Sequence, residues 1–393
     1  MQHTIPFILF ISLTQIGFAQ GLKKTMLRLP DTGETLSYTS TFGEDHDYII
    51  NAPGFIMNGN GTVTDTVTGL MWQQLDGGEM SIESAIKYCD SLSLAGYTDW
   101  RLPSAHEAFS ILNHQNTNPA LDTKVFTKTS AEYWWSSDHQ ANDMNKIWVT
   151  NSGGGIGNHL KTETESAGGT KKIHTRAVRD VHPVTMVASH FTDNRDGSIT
   201  DHLTGLLWQK IPNPDSLSWE EALLYAESLS LAGYSDWRLP NIKELQSIND
   251  ESIINPSLNK SYFGVTASNK YWSSTTLPNQ TSKAWYLNTQ YGITTYDTKT
   301  IKHYLICVRG NSVLSSTKQA KNNVITVFPN PFQTGIVIES VDAVVNCELF
   351  NATGTLIYSG KNIQDQNLSE LPSGLYFLKI QDPQPFIVKL VKQ

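Results

Sequence analysis

Two clusters of aromatic residues are the positions in this sequence best suited to contact a ligand. They read Tyr133-Trp134-Trp135 and Tyr271-Trp272. Neighbouring side chains of a strand point to opposite faces, so we expect Trp135 and Trp272 to point into a core and Trp134 and Tyr271 to face the other way. Exposed aromatic rings can stack on sugar faces. We therefore predict that Trp134, Tyr271 and Tyr133 contact a ligand; the alternative is that these rings belong to a core.

A second recurring group combines tryptophan, arginine, proline and glutamate. Its members are Trp100, Arg101, Pro103 and Glu107, and then Trp237, Arg238, Pro240 and Glu244. A junction between an extended segment and a helix needs a bulky anchor and a proline, and the arginine can bond loop carbonyls or the glutamate one turn later. We interpret these residues as a structural motif.

Motifs typical of enzymes and metal sites are not found. The sequence has no Gly-x-Ser-x-Gly, His-Glu-x-x-His or Walker A pattern, and His106-Glu107 is followed by Ala-Phe-Ser. The run from Asp193 to Gly197 resembles a calcium loop, but an EF-hand in this register would end at Leu203 instead of a glutamate. We expect a protein that is not an enzyme and that has no metal ligands or cofactor.

The aromatic and arginine groups recur because the chain contains a long internal repeat. Residues 91–103 and 228–240 match at twelve of thirteen positions, at an offset of 137 residues. Such a period exceeds that of solenoid repeats and indicates two complete domains. We assign them to residues 58–180 and 181–310.

Each repeat shows the same order of predicted elements. Ser81 and Ser104 in the first repeat, and Ser218 and Asn241 in the second, are placed to cap helices. Gly96 and Gly233 occupy positions expected for helix C-cap glycines. Several short strand-like runs follow the second helix of each repeat. Two helices before several antiparallel strands predict the α+β class.

The remaining segments indicate an exported protein. Residues 1–19 have the apolar run and small residues of a signal peptide, residues 20–57 form an N-terminal lead-in segment, residues 311–324 have the polar composition of a linker, and residues 325–393 show the pattern of a small β-sandwich. No later run is long enough for a transmembrane segment. The net charge of −8 over 393 residues argues against nucleic acid as a partner.

Three cysteines, Cys89, Cys307 and Cys347, are too few for a disulfide framework. Cys89 lies in the first repeat and Cys307 in the second, so neither repeat can close a bridge internally. Two buried thiols are the expected state, and a bridge between the repeats is the alternative.

The two repeats resemble the Lcl C-terminal domain family. The resemblance lies in TGLMWQQ (68–74) and TGLLWQK (204–210), and in AGYTDWRLPSAHE (95–107) and AGYSDWRLPNIKE (232–244). It extends over residues 29–310. It implies two domains of the C-type-lectin-like superfold, each with two helices and a small antiparallel sheet.

The C-terminal segment resembles the sorting domain of the type IX secretion system. The resemblance lies in VFPNPFQTGIVIES (327–340), LPSGLYFLKI (371–380) and the final VKLVKQ (388–393). It implies that residues 325–393 engage the type IX secretion machinery and that the protein is secreted or attached to the outer cell surface.

These observations predict a secreted or cell-surface binding protein of the adhesion type. The expected ligand is an extracellular polysaccharide or glycoconjugate, for which two weak sites on one chain gain avidity. A polyanionic ligand fits poorly, because the only local basic stretch comprises Lys171, Lys172, His174, Arg176 and Arg179. The alternative function is a structural or protein-interaction module of a surface assembly.

Overall fold

The protein is described here by a computed structural model that covers most of the chain. The described residues are 22–163, 173–183, 185–310, 313–314, 326–339, 346–361, 363–382 and 384–393. The predicted signal peptide 1–19, Lys171 and Lys172, and the predicted linker except residues 313–314 lie outside them.

Short strands make up most of the regular structure. The α-helices are α1 (Ile82–Ser91), α2 (Ala105–Ser110), α3 (Trp219–Ser228) and α4 (Ile242–Ser247). The strands as far as the end of the first repeat are β1 (Leu22–Lys24), β2 (Tyr48–Ile49), β3 (Phe55–Met57), β4 (Thr62–Asp65), β5 (Leu70–Gln73), β6 (Tyr133–Gln140), β7 (Asp143–Asn151), β8 (Ile156–Leu160), β9 (Ile173–His174) and β10 (Val178–Asp180). The later strands are β11 (Thr185–Val187), β12 (Phe191–Asp193), β13 (Ser198–Asp201), β14 (Leu207–Gln209), β15 (Lys270–Thr276), β16 (Lys283–Asn288), β17 (Ile293–Thr298), β18 (Val308–Arg309), β19 (Val313–Leu314), β20 (Thr326–Phe328), β21 (Val337–Glu339), β22 (Asn346–Asn351), β23 (Leu356–Gly360), β24 (Gly374–Asp382) and β25 (Gln384–Lys392).

The predicted helix starts are confirmed, because the capping side chains satisfy free backbone N–H groups. The Ser104 hydroxyl accepts from the Glu107 N–H at 3.2 Å, and the Glu107 carboxylate accepts from the Ser104 N–H at 2.8 Å. Asn241 and Glu244 form the same reciprocal pair at the start of α4. Ser81 and Ser218 cap α1 and α3.

The predicted helix ends are wrong. α1 and α3 stop at Leu92 and Leu229, whose backbones are extended. Gly96 and Gly233 lie beyond these ends, in turns where positive φ angles of 83° and 78° favour glycine.

The predicted α+β class, with two C-type-lectin-like domains of two helices and a small antiparallel sheet each, is also wrong. Over the described residues the protein is mostly β, with 35% strand and 11% helix, arranged in several sheets. The helices span only ten or six residues each. Caps in the sequence indicate where a helix begins, but which strands pair depends on contacts distant in sequence, which a local pattern does not contain. The C-terminal β domain agrees with the prediction.

Each repeat contains one small antiparallel sheet of four strands. The strand order is β10-β5-β4-β3 in the first repeat, with β3 contributed by the end of the lead-in, and β12-β13-β14-β18 in the second. Trp72 lies opposite Val178, and at the same position of the second copy Trp208 lies opposite Val308. Both tryptophans are fully buried. The repeated Gly-Leu-x-Trp sequence therefore places the same anchor in both sheets.

A seven-stranded sheet joins the two repeats. Its order is β15-β16-β17-β8-β7-β6-β9. The joint, which we name the seam, is the antiparallel pairing of β17 with β8, where Thr294 lies opposite Ile156. Under the repeat offset Thr294 corresponds to Gly157, one residue from Ile156, so nearly equivalent positions of the two copies meet. The copies are therefore related by an approximate twofold axis, as in a symmetric dimer.

The core is shared across the seam as well. One buried cluster contains Trp148 of the first repeat and its counterpart Trp285 of the second. Ile242 and Leu277 of the second repeat belong to the same cluster as Phe109 of the first. The two copies thus bury part of their apolar surface against each other.

Helices α2 and α4 also contact each other at this axis. The contact involves His106 and Lys243, which occupy the same position in the two repeats. His106 Nε2 lies 3.0 Å from the Gln246 carbonyl oxygen, and Lys243, the counterpart of His106, donates to the Ser110 carbonyl at 2.7 Å. His106 Nε2 also lies 3.1 Å from Glu251 Oε1. Burial acts to lower the pKa of His106, but the Glu251 carboxylate outweighs it and raises that pKa from 6.5 to about 9.

The contact between His106 and Glu251 makes the stability of the interface between the repeats dependent on pH. A histidine whose pKa is raised by folding contributes stability that is fully present below about pH 6.5 and is lost as the pH rises through about 9. We expect His106→Gln to lower the melting temperature at pH 6 and to have little effect near pH 10. Thermal unfolding of both proteins across this range measures the difference, and a difference that does not change with pH would contradict the assignment.

The lead-in segment contacts both repeats and the linker. The N–H of His114, in the first repeat, donates to the Thr32 carbonyl at 2.9 Å. β2 pairs with β19, and β1 pairs with β11. The Glu44 and Asp45 carboxylates accept hydrogen bonds of 2.6 Å from the hydroxyls of Thr276 and Thr275. Burial raises the pKa of Asp45 well above its ordinary value, and the nearby Asp31 adds to that rise.

The C-terminal domain contains a four-stranded sheet in the order β23-β22-β24-β25 and the separate pair β20–β21. Its core includes Phe332, Leu349 and Leu378. It touches the lead-in through Phe42 and Phe377, whose ring centroids are 4.5 Å apart.

Cys89, Cys307 and Cys347 are free and buried, so the prediction of buried thiols is confirmed. Burial raises the pKa of Cys89 to about 12. A thiol that stays protonated is a poor nucleophile, so Cys89 serves as a small core residue.

Candidate ligand-binding pocket at the seam

Trp134 and Tyr271, expected to face away from the core, both lie in the interior. Trp134 is 6% exposed and Tyr271 2%. The Trp134 indole donates to Asp76 Oδ2 at 3.2 Å. Both faces of the seven-stranded sheet are covered at these positions, so alternation along the strand exposes neither ring. Trp134 and Tyr271 do lie in different core clusters from Trp135 and Trp272, as the alternation predicts. The expectation that they are exposed is wrong, and their role in ligand binding stays a prediction.

The arginine–glutamate motif forms the same contact in both repeats. Arg101 binds the Glu107 carboxylate through two bonds of 2.6 and 2.8 Å, and Arg238 binds Glu244 through two bonds of 2.6 Å. Trp100 and Trp237 are buried and donate to the carbonyls of Leu94 and Leu231. Pro103 and Pro240 are buried and accept backbone bonds from Ser137 and Ser274 of β6 and β15. The motif thus ties each second helix to the large sheet.

A polar pocket of about 620 Å³ opens beside the seam. The first repeat contributes residues before β6 and the loop between β7 and β8, and the second contributes β17 and Trp285. The side chains with hydrogen-bonding groups on its wall are Asn118, Lys128, Thr129, Ser130, Glu132, Tyr133, Asn151, Ser152, Thr294, Thr295 and Tyr296. Of the three aromatic residues predicted to contact a ligand, Tyr133 lines this pocket.

The loop from Ser152 to Gly155 is held in place by Asn151. Its Oδ1 atom accepts from the N–H groups of Gly153 at 2.9 Å and Gly155 at 3.2 Å. Gly154 has φ of +101°, and a Cβ added there would lie 3.2 Å from the Trp285 ring. Side chains at this position are therefore disfavoured by both backbone and space.

The same loop explains why the pocket opens on the first-repeat side. Where the first repeat has Gly153-Gly154-Gly155, the second has Gln290-Tyr291-Gly292. Tyr291 packs against the shared core cluster, whereas the space beside its counterpart Gly154 is taken by the Trp285 ring, and Gly153 lines the pocket without a side chain. The loss of side chains from this loop in only one of the two copies is the sequence signal that could have indicated the pocket.

Aromatic rings form one side of the pocket. Tyr296 is 39% exposed, and its ring packs edge-to-face on Trp285 with centroids 5.4 Å apart. Tyr133 packs in the same way on His159 at 4.7 Å. Rings fixed by such contacts lose little conformational freedom when a ligand stacks on them. The arrangement combines a rigid aromatic wall with amide and hydroxyl groups, which suits a ligand rich in hydroxyl groups.

Comparison with protein families finds the Lcl C-terminal domain twice, at residues 61–181 and 197–309. The chain belongs to this family. A secretion system C-terminal sorting domain matches residues 326–393. The sorting domain shows that the protein is secreted or attached to the outer cell surface.

None of the curated proteins matches the chain. Among solved structures, dimeric latent PorU from Porphyromonas gingivalis is similar over 63% of this chain and 26% of that chain, at 9% identity and a TM-score of 0.14. This Lcl-family chain thus spans about a quarter of that structure, and a likeness this weak carries no argument about its fold or function. Across the described residues, no helix has the length and apolar character needed to cross a membrane.

Proposed function

We propose that this secreted or surface-attached protein binds a polysaccharide or glycoconjugate in the seam pocket. The observation that carries the proposal is the exposed Tyr296 ring beside the amide and hydroxyl groups of a polar pocket. Sugars present apolar C–H faces and hydroxyl edges, which aromatic rings and polar side chains respectively complement. The ligand site thus belongs to the paired repeats rather than to each repeat alone.

The charges near the pocket favour a neutral ligand over a polyanion. Its wall contains one lysine and one carboxylate, Lys128 and Glu132. Of the basic stretch noted in the sequence, His174 and Arg176 approach Asp76, with His174 at 2.9 Å. Arg179 binds Asp99 at 2.7 Å. The described part of this stretch is therefore neutralised within the protein.

We further propose that the pocket binds its ligand without cleaving it. Glycoside hydrolysis by the common mechanisms requires two carboxyl groups across the scissile bond. Glu132 is the one carboxylate among the residues that line the pocket. A binding function requires no such pair.

A glycan array probed with the full chain tests the proposal. We expect saturable binding to one or more neutral glycans, and a fivefold to tenfold weakening by Tyr296→Ala, since loss of a stacking ring costs on the order of 1 kcal/mol. Tyr234→Ala is the matched control, because Tyr234 is 42% exposed and lies outside the pocket. Gly153→Gln, which introduces the residue of the second copy, should fill the pocket and weaken binding further.

Two results would contradict the proposal. One is an array without binding to neutral or anionic glycans. The other is an equal effect of Tyr296→Ala and Tyr234→Ala, which would place the ligand elsewhere. Unchanged thermal unfolding of each variant establishes that a loss of binding reflects the pocket rather than the fold.

A further inference from the structure

A different cavity, with a volume of about 580 Å³, lies where the lead-in segment meets helices α2 and α4. We name it the helix pocket. The rest of its wall comes from the start of β12, the turn after β13 and the residues beyond α4. No residue of its wall lines the seam pocket. Both repeats and the lead-in therefore form this cavity together, and its size is that of sites for small organic ligands.

Large apolar side chains form much of the wall of the helix pocket. Met26 of the lead-in packs against two core clusters, of which one contains Phe109 of the first repeat and the other Phe191 of the second. Phe109 and Phe191 both line the pocket. The further large apolar or aromatic residues on the wall are Leu22, Leu29, Leu203 and Tyr262. Such a wall suits the apolar part of a ligand, because apolar surface is then removed from water on both partners.

Three cations on the wall already bind other groups of the protein. Lys23 pairs with Asp180, and His106 pairs with Glu251, each at 3.1 Å. Lys243 donates to two backbone carbonyl groups at 2.8 and 2.7 Å. These cations therefore have partners in the free protein.

The other titratable groups on the wall are Asp250, His190 and Lys24. Asp250 accepts hydrogen bonds from the N–H and the hydroxyl of Ser252. His190 Nε2 lies 3.3 Å from Asp201 Oδ1. Apart from Lys24, the wall thus presents groups that are already engaged within the protein, and an uncharged ligand needs no ion pair there.

Two buried amide oxygens on the wall, Gln246 Oε1 and Asn249 Oδ1, have no hydrogen-bond partner among the described residues. Gln246 is 1% exposed and Asn249 2%. Their amide nitrogens donate to Glu251 Oε1 at 3.4 and 3.1 Å, which leaves each oxygen as an acceptor. A Cβ added at Gly292 would overlap the Asn249 amide, so Asn249 has little room. Gln246 Oε1 is therefore the acceptor that we expect a ligand to reach.

The two helices present different chemistry to the pocket at the same position of the repeat. Gln246 of α4 corresponds to Phe109 of α2 at the offset of 137 residues. One helix thus supplies a ring and the other an amide oxygen. A ligand that combines an apolar body with one hydrogen-bond donor complements both.

We propose that the helix pocket binds a small, uncharged and largely apolar molecule that donates an N–H or O–H hydrogen bond to Gln246 Oε1. Its apolar part contacts Met26 and Phe109. Because the lead-in and both repeats line the pocket, the ligand contacts all three, and its binding should raise the melting temperature. The proposal involves none of the residues of the seam pocket, so it does not depend on glycan binding.

Three related fluorescent dyes test this proposal with the full chain. N-phenylnaphthylamine is uncharged and apolar and has one N–H donor, its N-methyl derivative lacks the donor, and anilinonaphthalene sulfonate adds a negative charge. We expect saturable binding of N-phenylnaphthylamine with one dye per chain and a higher melting temperature of the complex. The N-methyl derivative should bind about tenfold more weakly, since a hydrogen bond to a buried acceptor contributes on the order of that factor. The sulfonate should bind no more tightly than N-phenylnaphthylamine.

The ratio of the affinities for the two uncharged dyes isolates the acceptor. Gln246→Leu replaces the amide by methyl groups of similar size, and we expect the tenfold preference for N-phenylnaphthylamine to disappear. Gln140→Leu is the matched control, because Gln140 is 3% exposed, its Oε1 atom also lacks a partner among the described residues, and it lies outside the pocket. It should leave the ratio unchanged. A general loss of stability would weaken both dyes together and would not alter the ratio.

A second pair of variants locates the dye. Met26→Ala should weaken both uncharged dyes about fivefold through lost apolar contact, whereas Met57→Ala, at a residue that is 56% exposed and outside the pocket, should not. Absence of saturable binding of N-phenylnaphthylamine would overturn the proposal. So would equal binding of its N-methyl derivative, tighter binding of the sulfonate, or an equal change of the ratio in Gln246→Leu and Gln140→Leu. Tyr296→Ala should leave dye binding unchanged, which separates this result from the glycan test.

Discussion

Arg238→Ala is expected to lower the free energy of unfolding by about 3 to 5 kcal/mol, because it leaves a buried carboxylate without its partner. The side chains of Arg238 and Glu244 are 1% and 0% exposed. Burial acts to lower the pKa of Arg238, and the Glu244 carboxylate outweighs it, so that the guanidinium stays charged. The same guanidinium faces Tyr48 of the lead-in, so the substitution should also loosen that segment.

The first repeat supplies the matched comparison. Arg101→Ala removes the same two bonds to a buried glutamate and a third bond to Asp180 Oδ1 at 2.8 Å, but the Arg101 side chain is 32% exposed, so water can replace part of these interactions. We expect a cost of about 1 to 2 kcal/mol. Urea denaturation of both variants measures the two costs. Equal values would show that the lead-in does not strengthen the motif in the second repeat.

Trp285→Ala is expected to cost about 3 to 5 kcal/mol and to destabilise both repeats together. Trp285 is 2% exposed and belongs to the cluster that contains Trp148 of the first repeat. The seam adds backbone bonds across the same boundary. Because the repeats share a sheet and a core cluster, loss of this ring should affect a single cooperative unit.

Differential scanning calorimetry distinguishes shared from separate unfolding of the repeats. We expect one transition for residues of both repeats, shifted to lower temperature by Trp285→Ala and by Trp148→Ala alike. Trp237→Ala is the comparison within one repeat, since Trp237 lies in a cluster formed by second-repeat residues. Two transitions, of which Trp285→Ala moves only one, would contradict the shared unit.

Much of the local structure could be predicted from particular residues. Ser104 with Glu107 and Asn241 with Glu244 gave the starts of α2 and α4, because capping depends on groups within four residues. The strong match of the two copies also gave the family. The ends of α1 and α3 could not be predicted in the same way. A leucine with an extended backbone, as at Leu92 and Leu229, does not mark the end of a helix as clearly as a capping residue marks its start.

The candidate site could be predicted only in part. Tyr133 was among the residues expected to contact ligand and does line the pocket, but Tyr296 and Thr294 were missed. These two residues reach the pocket because β17 pairs with β8 across the two copies. That a residue of one repeat contributes to a site in the other can be recognised only when the pairing of distant strands is known.

The sequence by itself determined the caps, the arginine–glutamate motif and the sorting domain, because each is expressed by residues close together in the chain. It also determined the duplication, because the two copies match residue by residue. The tertiary structure alone decided that the copies share a sheet, that Glu44 and Asp45 of the lead-in bind the second repeat, and that Trp134 and Tyr271 are buried. These outcomes depend on which surfaces the two copies and the lead-in bury against one another. Two segments of similar sequence do not reveal that their surroundings in the folded protein differ.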